Sequence, residues 1–321
     1  MAYGEAVENL SREMVLVSHI QRGAVQDGPG WRTTVYLKGC PLRCPWCYNA
    51  ESLHFQQELR YVPQFCIGAA ACGRCLEVCR SGGIVPPGPD TDGRPVVRRQ
   101  LCRVCGECTQ VCPSGALSLV GRAMTAADIV QEAEKDRDFY CTSGGGLTLS
   151  GGEPLVRKAD ILKLAEKHND VQFAIYTNST LIDDAFCKEV VRLGNIAFML
   201  SIEGTPETND ARRGEGHYAA VMRAMDLLKE YGILFGTSIC YTRDNIEAVT
   251  SDEFMRFLCE KGAHFGFYFH YMPVGNEAAP ELMPSPEQRK YMIDRIRYLR
   301  SEACDIPFYP MDFQNDGEFV G

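Results

Sequence analysis

The sequence predicts an α/β fold: a partial, open (β/α)6 TIM-like barrel with a cysteine-rich segment inserted near its start. Three observations support this: short buried strand-like runs, helical stretches between them, and one cysteine-rich interval with little apolar periodicity. The strand-like runs are 33–38, 147–150, 171–176, 196–201, 233–240 and 264–270. Repeated βα units favour a parallel sheet, and six strands are too few to close an eight-stranded barrel.

Amphipathic stretches of helical length separate the strand-like runs. They cover 125–138, 156–168, 181–193, 217–231 and 251–261. Thr125 is a candidate N-cap with Asp128 three residues later, and Ser285 before Pro286 marks the start of a last helix. We expect three regions: the barrel start at 1–59, the insert at 60–120, and the rest of the barrel with its C-terminal helix at 121–321.

Composition and charge limit the class of protein. The chain has 321 residues, 45% of them hydrophobic, which predicts a sizeable globular core. Its net charge of −9 disfavours nucleic acid as a partner, and the densest basic group is only Arg98, Arg99 and Arg103. The apolar run at 14–17 is too short for a signal peptide, and no run of about 18 apolar residues occurs. We therefore expect a cytoplasmic protein with no membrane partner.

Sixteen cysteines are the most informative residues, and eleven of them fall between Cys40 and Cys112. Most of the eleven are only two or three residues apart, a spacing typical of thiolates around a metal cluster rather than of disulfides. The other five are scattered singly, and we interpret them as small buried apolar side chains. They are Cys141, Cys187, Cys240, Cys259 and Cys304.

A Cys-x3-Cys-x2-Cys motif, formed by Cys40, Cys44 and Cys47, directly follows the first predicted strand. Ordinary [4Fe–4S] clusters take four thiolates, so three leave one iron open to a small chelating molecule. The alternative is a zinc site completed by a distant residue. A second motif, Gly151-Gly152-Glu153-Pro154, follows the second strand and by itself could be an ordinary turn. Loops after parallel strands gather at one face, so the two motifs are expected to meet.

Eight further cysteines form two runs within the insert. One run is Cys-x2-Cys-x2-Cys-x3-Cys, as in bacterial ferredoxins, and the other has a longer first spacer. In two-cluster ferredoxins the fourth cysteine of each run binds the other cluster. That rule predicts one cluster on Cys79, Cys102, Cys105 and Cys108, and a second on Cys66, Cys72, Cys75 and Cys112. The chain would thus bind three [4Fe–4S] clusters, with a zinc ribbon as the alternative reading of the insert.

The three-cysteine loop, with Trp46 before its last cysteine, and the Gly151–Pro154 loop resemble the radical SAM superfamily. The resemblance implies that the open iron binds the amino and carboxylate groups of S-adenosyl-L-methionine (SAM). Gly151, Gly152 and Glu153 would then hold the methionine ammonium group. It also implies that Cys40, Cys44 and Cys47 are catalytic: their cluster reductively cleaves SAM to a 5′-deoxyadenosyl radical, which abstracts a hydrogen atom.

Within the superfamily, Asp27-Gly28-Pro29-Gly30-Trp31-Arg32 and Trp46-Cys47-Tyr48-Asn49 resemble glycyl-radical-enzyme activating enzymes. These are relatives of pyruvate formate-lyase activating enzyme, and those with a two-cluster ferredoxin-like insert match best. The resemblance implies that the hydrogen comes from a glycine of a partner glycyl radical enzyme. The two insert clusters would relay electrons from a flavodoxin or ferredoxin, or one of them would be structural.

The second half is more similar to radical SAM peptide-maturation enzymes, through 201–204 and 211–216. Modification of a ribosomal peptide or small metabolite is therefore an alternative function, and a ferredoxin-like electron carrier without catalysis is a third. Peptide-maturation enzymes usually carry further C-terminal cluster cysteines, whereas only Cys304 follows the barrel here. Either the protein does without them, or the sequence stops short of its natural end.

Three more side chains are candidates for cofactor binding. We expect Asn178 and Ser201, at the ends of two predicted strands, to line the adenosine site. Arg212 is expected to contact the substrate or the SAM carboxylate. The alternative is strand-end capping for the first two and a solvated arginine pair, Arg212 with Arg213. His270, at the end of the last predicted strand, is interpreted as a structural histidine.

Overall fold

The structure is a computed structural model, and we describe residues 14–25, 27–44, 47–273 and 279–312. Trp46, which the sequence places before the last cysteine of the loop, lies outside these residues. Within the described ranges, no helix combines the length and the apolar character that crossing a bilayer requires.

Thirteen strands are present in the described residues. They are β1 (Met14–Ala24), β2 (Arg32–Leu37), β3 (Glu58–Tyr61), β4 (Ile84–Val85), β5 (Val96–Val97), β6 (Leu117–Val120), β7 (Arg122–Thr125), β8 (Gly146–Gly151), β9 (Gln172–Thr177), β10 (Ile196–Ser201), β11 (Phe235–Tyr241), β12 (Phe265–His270) and β13 (Tyr309–Asp312). Nine of them form one sheet in the order β13-β12-β11-β10-β9-β8-β2-β1-β7. Strands β2 and β8 to β13 pair in parallel, whereas β1 is antiparallel to both β2 and β7. The prediction of an α/β fold with a parallel sheet is confirmed.

All six predicted strands are found, and three additional strands extend the sheet at its two edges. Strand β1 was missed because only 14–17 is continuously apolar. Beyond Val17 most residues are polar or only partly buried, and His19 and Arg22 are exposed. An antiparallel strand needs only one apolar face, so the polar half of β1 gives no strong strand signal.

Eleven helices lie in the described residues. They are α1 (Arg74–Val78), α2 (Glu107–Gln110), α3 (Ala126–Glu134), α4 (Arg137–Ser143), α5 (Lys158–Lys167), α6 (Asp184–Leu193), α7 (Pro206–Arg213), α8 (His217–Glu230), α9 (Ile246–Val249), α10 (Asp252–Lys261) and α11 (Pro286–Leu299). Both predicted N-caps are confirmed: Thr125 accepts a hydrogen bond from the Asp128 N–H, and Ser285 accepts one from the Gln288 N–H. Each forms a capping box, which satisfies two backbone donors at once.

The predicted helix at 125–138 is instead two helices, α3 and α4, which break at Asp136. The Asp136 carboxylate is buried and accepts hydrogen bonds from the Arg22 guanidinium and the Thr33 hydroxyl. These partners lie on β1 and β2, far away in the sequence. A tertiary contact therefore sets the break, and the local pattern does not reveal it.

One large apolar core lies between the sheet and the helices that cover it. Its members include Leu228 of α8 and Ile239 of β11, both fully buried. The prediction for the scattered cysteines holds for Cys187, which is buried in this core, but it is wrong for Cys141, which is exposed on α4. Cys141 lies on the outer face of the short helix α4. The sequence pattern did not show which face of this helix points to solvent.

The insert leaves and rejoins the sheet region through the antiparallel pair β3 and β6. It contains a sequence repeat, because 72–84 and 105–117 match at seven of thirteen positions. In each copy a glycine with a left-handed backbone, Gly73 (φ 63°) or Gly106 (φ 80°), precedes a short helix, α1 or α2. The insert thus has two similar halves, and each half supplies cysteines at equivalent places.

Candidate functional site

The loop after β8 is fastened directly to the start of the cysteine loop after β2. The Gly152 N–H donates to the Leu37 carbonyl at 2.7 Å, and the Glu153 N–H donates to the Gly39 carbonyl at 2.8 Å. Gly39 immediately precedes Cys40. The two motifs therefore meet at one end of the parallel sheet, as the order of the strands predicts.

The two glycines allow this close approach of backbone to backbone. A Cβ on Gly152 would lie 2.3 Å from the Gly39 carbonyl oxygen, and one on Gly151 would lie 2.5 Å from that of Leu37. Gly151 also has a φ of +100°, which favours glycine. The resemblance to radical SAM enzymes predicts close contact between these glycines and a ligand. The structure adds a reason within the chain itself: no larger residue fits against the cysteine loop.

A cavity of about 540 Å³ opens beside the three cysteines, within the range of small-molecule sites. Its lining includes the predicted residues Cys40, Cys44, Cys47, Gly151, Gly152, Asn178 and Ser201. It also includes residues that sequence reasoning missed, among them His19, Tyr176, Arg213, Ser238 and Cys240. Ser238 and Cys240 lie near the end of β11, so the rule that sites form at strand ends could have found them.

The three thiols favour their neutral forms unless a metal replaces their protons. Burial raises the pKa of Cys40 to about 11 and also raises the pKa of Cys47. Burial raises the pKa of Cys44 too, although the guanidinium of Arg213 opposes this shift. Binding of a cation at these thiols would remove the cost of burying thiolates.

The number and chemistry of the thiols, three lining one cavity, suit an iron–sulfur cluster with one open iron. Among the described residues, no group of three or more His, Cys, Asp or Glu side chains is arranged to hold a single ion. A cluster binds each thiolate through a different iron, so its sulfur ligands lie farther apart than those around one zinc. Three thiols beside a cavity of this size fit a cluster that keeps one iron open to a small ligand.

Glu153 has a structural contact that the sequence did not suggest. Its side chain is fully buried and accepts hydrogen bonds from the Leu155 N–H, the Thr177 hydroxyl and the Asn178 N–H. Burial raises its pKa, while these hydrogen bonds lower it. The carboxylate thereby holds Asn178, whose Nδ2 lies 3.9 Å from the Cys40 Sγ. Contact between Glu153 and the methionine ammonium group stays a prediction.

A buried ion-pair cluster reaches the cavity through Arg213, whose guanidinium also acts on the Cys44 thiol. Glu203 is fully buried; its Oε2 lies 3.3 Å from Arg212 Nη1 and its Oε1 lies 2.9 Å from Arg213 Nε. The side chains of Arg212 and Arg213 are only 12% and 14% exposed, so the alternative of a solvated pair is wrong. Arg212 also donates to the Cys240 carbonyl, and it is Arg213 that lines the cavity.

The predicted contact of Arg212 with SAM or substrate stays a prediction. The two arginines are adjacent in sequence, and the phase of α7 decides which one reaches the cavity. Helix α7 was not predicted, so its phase was unknown. His270, which was interpreted as structural, lies at the cavity and packs edge-on against Tyr241.

The eight cysteines of the insert separate into two crossed groups. A small cavity is lined by Cys66, Cys72, Cys75 and Cys112, and the pKa of Cys75 is raised by burial and by the other three thiols. The pKa of Cys108 is raised to about 11 by burial and by Cys102, Cys105 and Cys79. Each group thus takes its fourth cysteine from the other run, as the ferredoxin rule predicts. That they bind clusters stays a prediction.

Family models agree with these features. A model of the radical SAM superfamily matches residues 100–256. A 4Fe–4S single cluster domain model matches 26–68, and a 4Fe–4S dicluster domain model matches 65–116. The dicluster match covers the insert, and the single-cluster match covers the three-cysteine loop.

Several curated proteins are similar to part of the chain. The benzylsuccinate synthase activating enzyme of Thauera aromatica is 50% identical over 144 residues, which are 44% of this chain and 42% of that protein. The isethionate sulfite-lyase activating enzyme of Nitratidesulfovibrio vulgaris is 44% identical over 147 residues, 46% of this chain and 47% of that protein. The choline trimethylamine-lyase activating enzyme of Oleidesulfovibrio alaskensis is 41% identical over 169 residues, 50% of this chain and 52% of that protein.

The chain spans about half the length of the curated relatives it matches. Its cysteine loop, its crossed cysteine groups and the matching family models nevertheless agree with one another. Segments of the chain match the radical SAM and 4Fe–4S domain models, and the chain is similar over about half its length to activating enzymes of glycyl radical enzymes.

Proposed function

We propose that this protein is a radical SAM enzyme that activates a glycyl radical enzyme by removing a hydrogen atom from one of its glycines. The observation that carries the proposal is the cavity beside Cys40, Cys44 and Cys47, which the Gly151-Gly152 loop also lines. The three relatives described above, all named activating enzymes, support the choice of partner. When bound, the cluster would supply the electron that cleaves SAM to a 5′-deoxyadenosyl radical.

The residues of the cavity have separate roles in this proposal. Cys40, Cys44 and Cys47 hold the cluster, while Asn178 and Ser201 orient the adenosine of SAM. The guanidinium of Arg213 gives the cavity a positive charge that complements a carboxylate. Glu203 acts as a positioning residue, because it fixes the two arginines from a fully buried position.

The insert would hold two further clusters, which makes three in the chain. Cys79, Cys102, Cys105 and Cys108 would bind one, and Cys66, Cys72, Cys75 and Cys112 the other. The grouping of their thiols supports this assignment. We further propose that the parallel strands β2 and β8 to β12 form a partial (β/α)6 barrel. The insert would cover residues 60–120, between the barrel start at 1–59 and the rest of the barrel at 121–321. The protein would be cytoplasmic.

The test is anaerobic incubation of the reconstituted protein with SAM, dithionite and each glycyl radical enzyme encoded beside its gene. The expected result is 5′-deoxyadenosine together with a glycine-centred doublet in electron paramagnetic resonance. If 5′-deoxyadenosine forms but none of the candidate glycyl radical enzymes gives the doublet, the activating role is rejected and the SAM chemistry is retained. Absence of both would reject the whole proposal.

Modification of a ribosomal peptide or a small metabolite is a second candidate function. The buried Glu203, Arg212 and Arg213 cluster lies in the segments that resemble peptide-maturation enzymes. Incubation with a short precursor peptide encoded beside the gene, followed by mass spectrometry, would separate the two. A mass change in the peptide without a glycyl radical would favour this function.

A further inference from the structure

The insert differs in charge from the rest of the chain. Residues 60–120 carry seven arginines and four acidic side chains, a net charge of +3, whereas the whole chain carries −9. The insert is therefore a basic region of an otherwise acidic protein. A basic region of this kind attracts acidic partners, whereas the acidic remainder of the chain repels them.

Several of these arginines lie close to one of the two cysteine groups. Arg80 directly follows Cys79, and Arg103 directly follows Cys102. The Arg98 N–H donates to the Gly83 carbonyl at 2.8 Å, next to the β4–β5 pair, which brings the segments after Cys79 and before Cys102 together. The arginines thus lie near the Cys79, Cys102, Cys105 and Cys108 group.

These arginines are available to a partner. Arg80, Arg98, Arg99 and Arg103 are all exposed. In the described part of the chain, Arg80, Arg98 and Arg103 form no salt bridge, and Arg99 donates only to the Leu59 carbonyl. Between them Leu101 is 48% exposed and lies beside Gly82. An exposed apolar side chain within a charged rim is typical of a protein interface.

The same cysteine group is open to solvent. Cys105 is exposed, whereas the other ten cysteines of 40–112 are buried or partly buried. A cluster bound by Cys105 would lie nearer the surface than one held in the Cys66 group. An electron arriving from outside would therefore reach it first.

We propose that Arg80, Arg98, Arg99, Leu101 and Arg103, which we call the arginine face, dock an acidic one-electron carrier protein. The inference rests on the proposed function, because it requires a cluster at the Cys79, Cys102, Cys105 and Cys108 group. One electron leaves the reduced carrier and enters that cluster, so the carrier is oxidised and the cluster is reduced. Small, charge-steered interfaces suit transient electron transfer. The face surrounds a cluster group rather than the SAM cavity, which disfavours the glycyl radical enzyme as its occupant.

The test compares two triple charge reversals in the reconstituted holoprotein. Arg80→Glu/Arg98→Glu/Arg103→Glu changes the arginine face. Lys163→Glu/Arg223→Glu/Lys290→Glu is the control, because it changes the charge equally at exposed positions of α5, α8 and α11. Formation of 5′-deoxyadenosine is measured with a reduced acidic flavodoxin and, separately, with dithionite.

With flavodoxin, we expect the rate to fall at least about tenfold in the arginine variant and less than about twofold in the control. With dithionite, the rates of both variants should equal that of the unaltered protein. Equal flavodoxin-driven rates in the arginine variant and the unaltered protein would overturn the proposal. A selective loss of dithionite-driven glycyl radical formation would also overturn it, since the face would then bind the glycyl radical enzyme.

A salt titration of the unaltered protein keeps the proposal testable if the arginine variant does not take up iron. The flavodoxin-driven rate should fall severalfold between about 0.02 and 0.3 M salt, because screening weakens the encounter. A flavodoxin-driven rate that does not respond to salt would refute docking by charge. No 5′-deoxyadenosine from the unaltered protein with dithionite would instead refute the proposed function.

Discussion

The sheet region and the insert are stabilised in different ways. The sheet region packs its helices on a continuous apolar core that includes Leu228 and Ile239. The core of the insert consists of only Leu59, Ile84, Cys108 and Leu117, with further cysteines packed around it. A core this small cannot offset the entropy of ordering about sixty residues. We therefore expect burial of apolar side chains to stabilise the sheet region, and binding at the thiols to stabilise the insert.

The largest effect should come from removing one thiol of the sheet region. In Cys44→Ala, SAM cleavage should fall below about 1% of the original rate, because the proposed cluster would lose one of its three thiolate ligands. About eight of twelve irons should remain, since the insert groups contain no residue of this loop. Iron analysis and 5′-deoxyadenosine assays measure both quantities.

Cys141→Ala is the matched control, because Cys141 is exposed on α4 and belongs to no cysteine group. It should retain full iron content and activity. Loss of all iron in Cys44→Ala would contradict the prediction that the sheet region and the insert bind their clusters at separate sites.

The next effect concerns the removal of iron from the whole protein. After chelation under anaerobic conditions, amide hydrogen exchange in 62–116 should accelerate by more than about a hundredfold. Strands β8 to β12 should exchange at nearly unchanged rates, because their protection comes from the apolar core. Retained protection of the insert would show that it folds without its clusters.

A smaller effect is expected where the two loops of the site meet. Gly152→Ala should destabilise the sheet region by roughly 1–3 kcal/mol, because the new Cβ would lie 2.3 Å from the Gly39 carbonyl oxygen. Gly88→Ala in the insert is the control, since the nearest atom to its added Cβ is 4.0 Å away. Denaturant unfolding of the two variants gives the comparison. A Gly152→Ala variant as stable as Gly88→Ala would contradict the packing role of Gly152.

The smallest effect should come from a helix cap. Thr125→Ala removes the hydroxyl that accepts the Asp128 N–H, so the free energy of unfolding should fall by about 1 kcal/mol. Iron content should not change, because α3 lies outside the cysteine groups. An altered cluster spectrum in this variant would show that the two regions are coupled through β7 and α3.

Local patterns were enough for the parts of the fold that local physics controls. The six parallel strands, the caps at Thr125 and Ser285, and the crossed cysteine groups follow from periodicity, hydrogen-bonding capacity and spacing. Strand β1 was missed because its second half is polar, and the break at Asp136 was missed because it depends on partners more than a hundred residues away. Arg213 was missed for a related reason, since the phase of an unpredicted helix chose it over Arg212.

The order of amino acids fixes which reactive groups this chain can offer: three clustered thiols, a glycine-rich loop and eight further cysteines in two runs. Packing between distant segments makes Glu153 a buried acceptor for the end of β9 and places Arg213 at the cavity. It also leaves Arg80, Arg98, Arg99 and Arg103 exposed, together with Cys105. Residue types and their spacing can be read directly from the sequence. The burial and direction of a side chain, in contrast, depend on which distant segments pack against it.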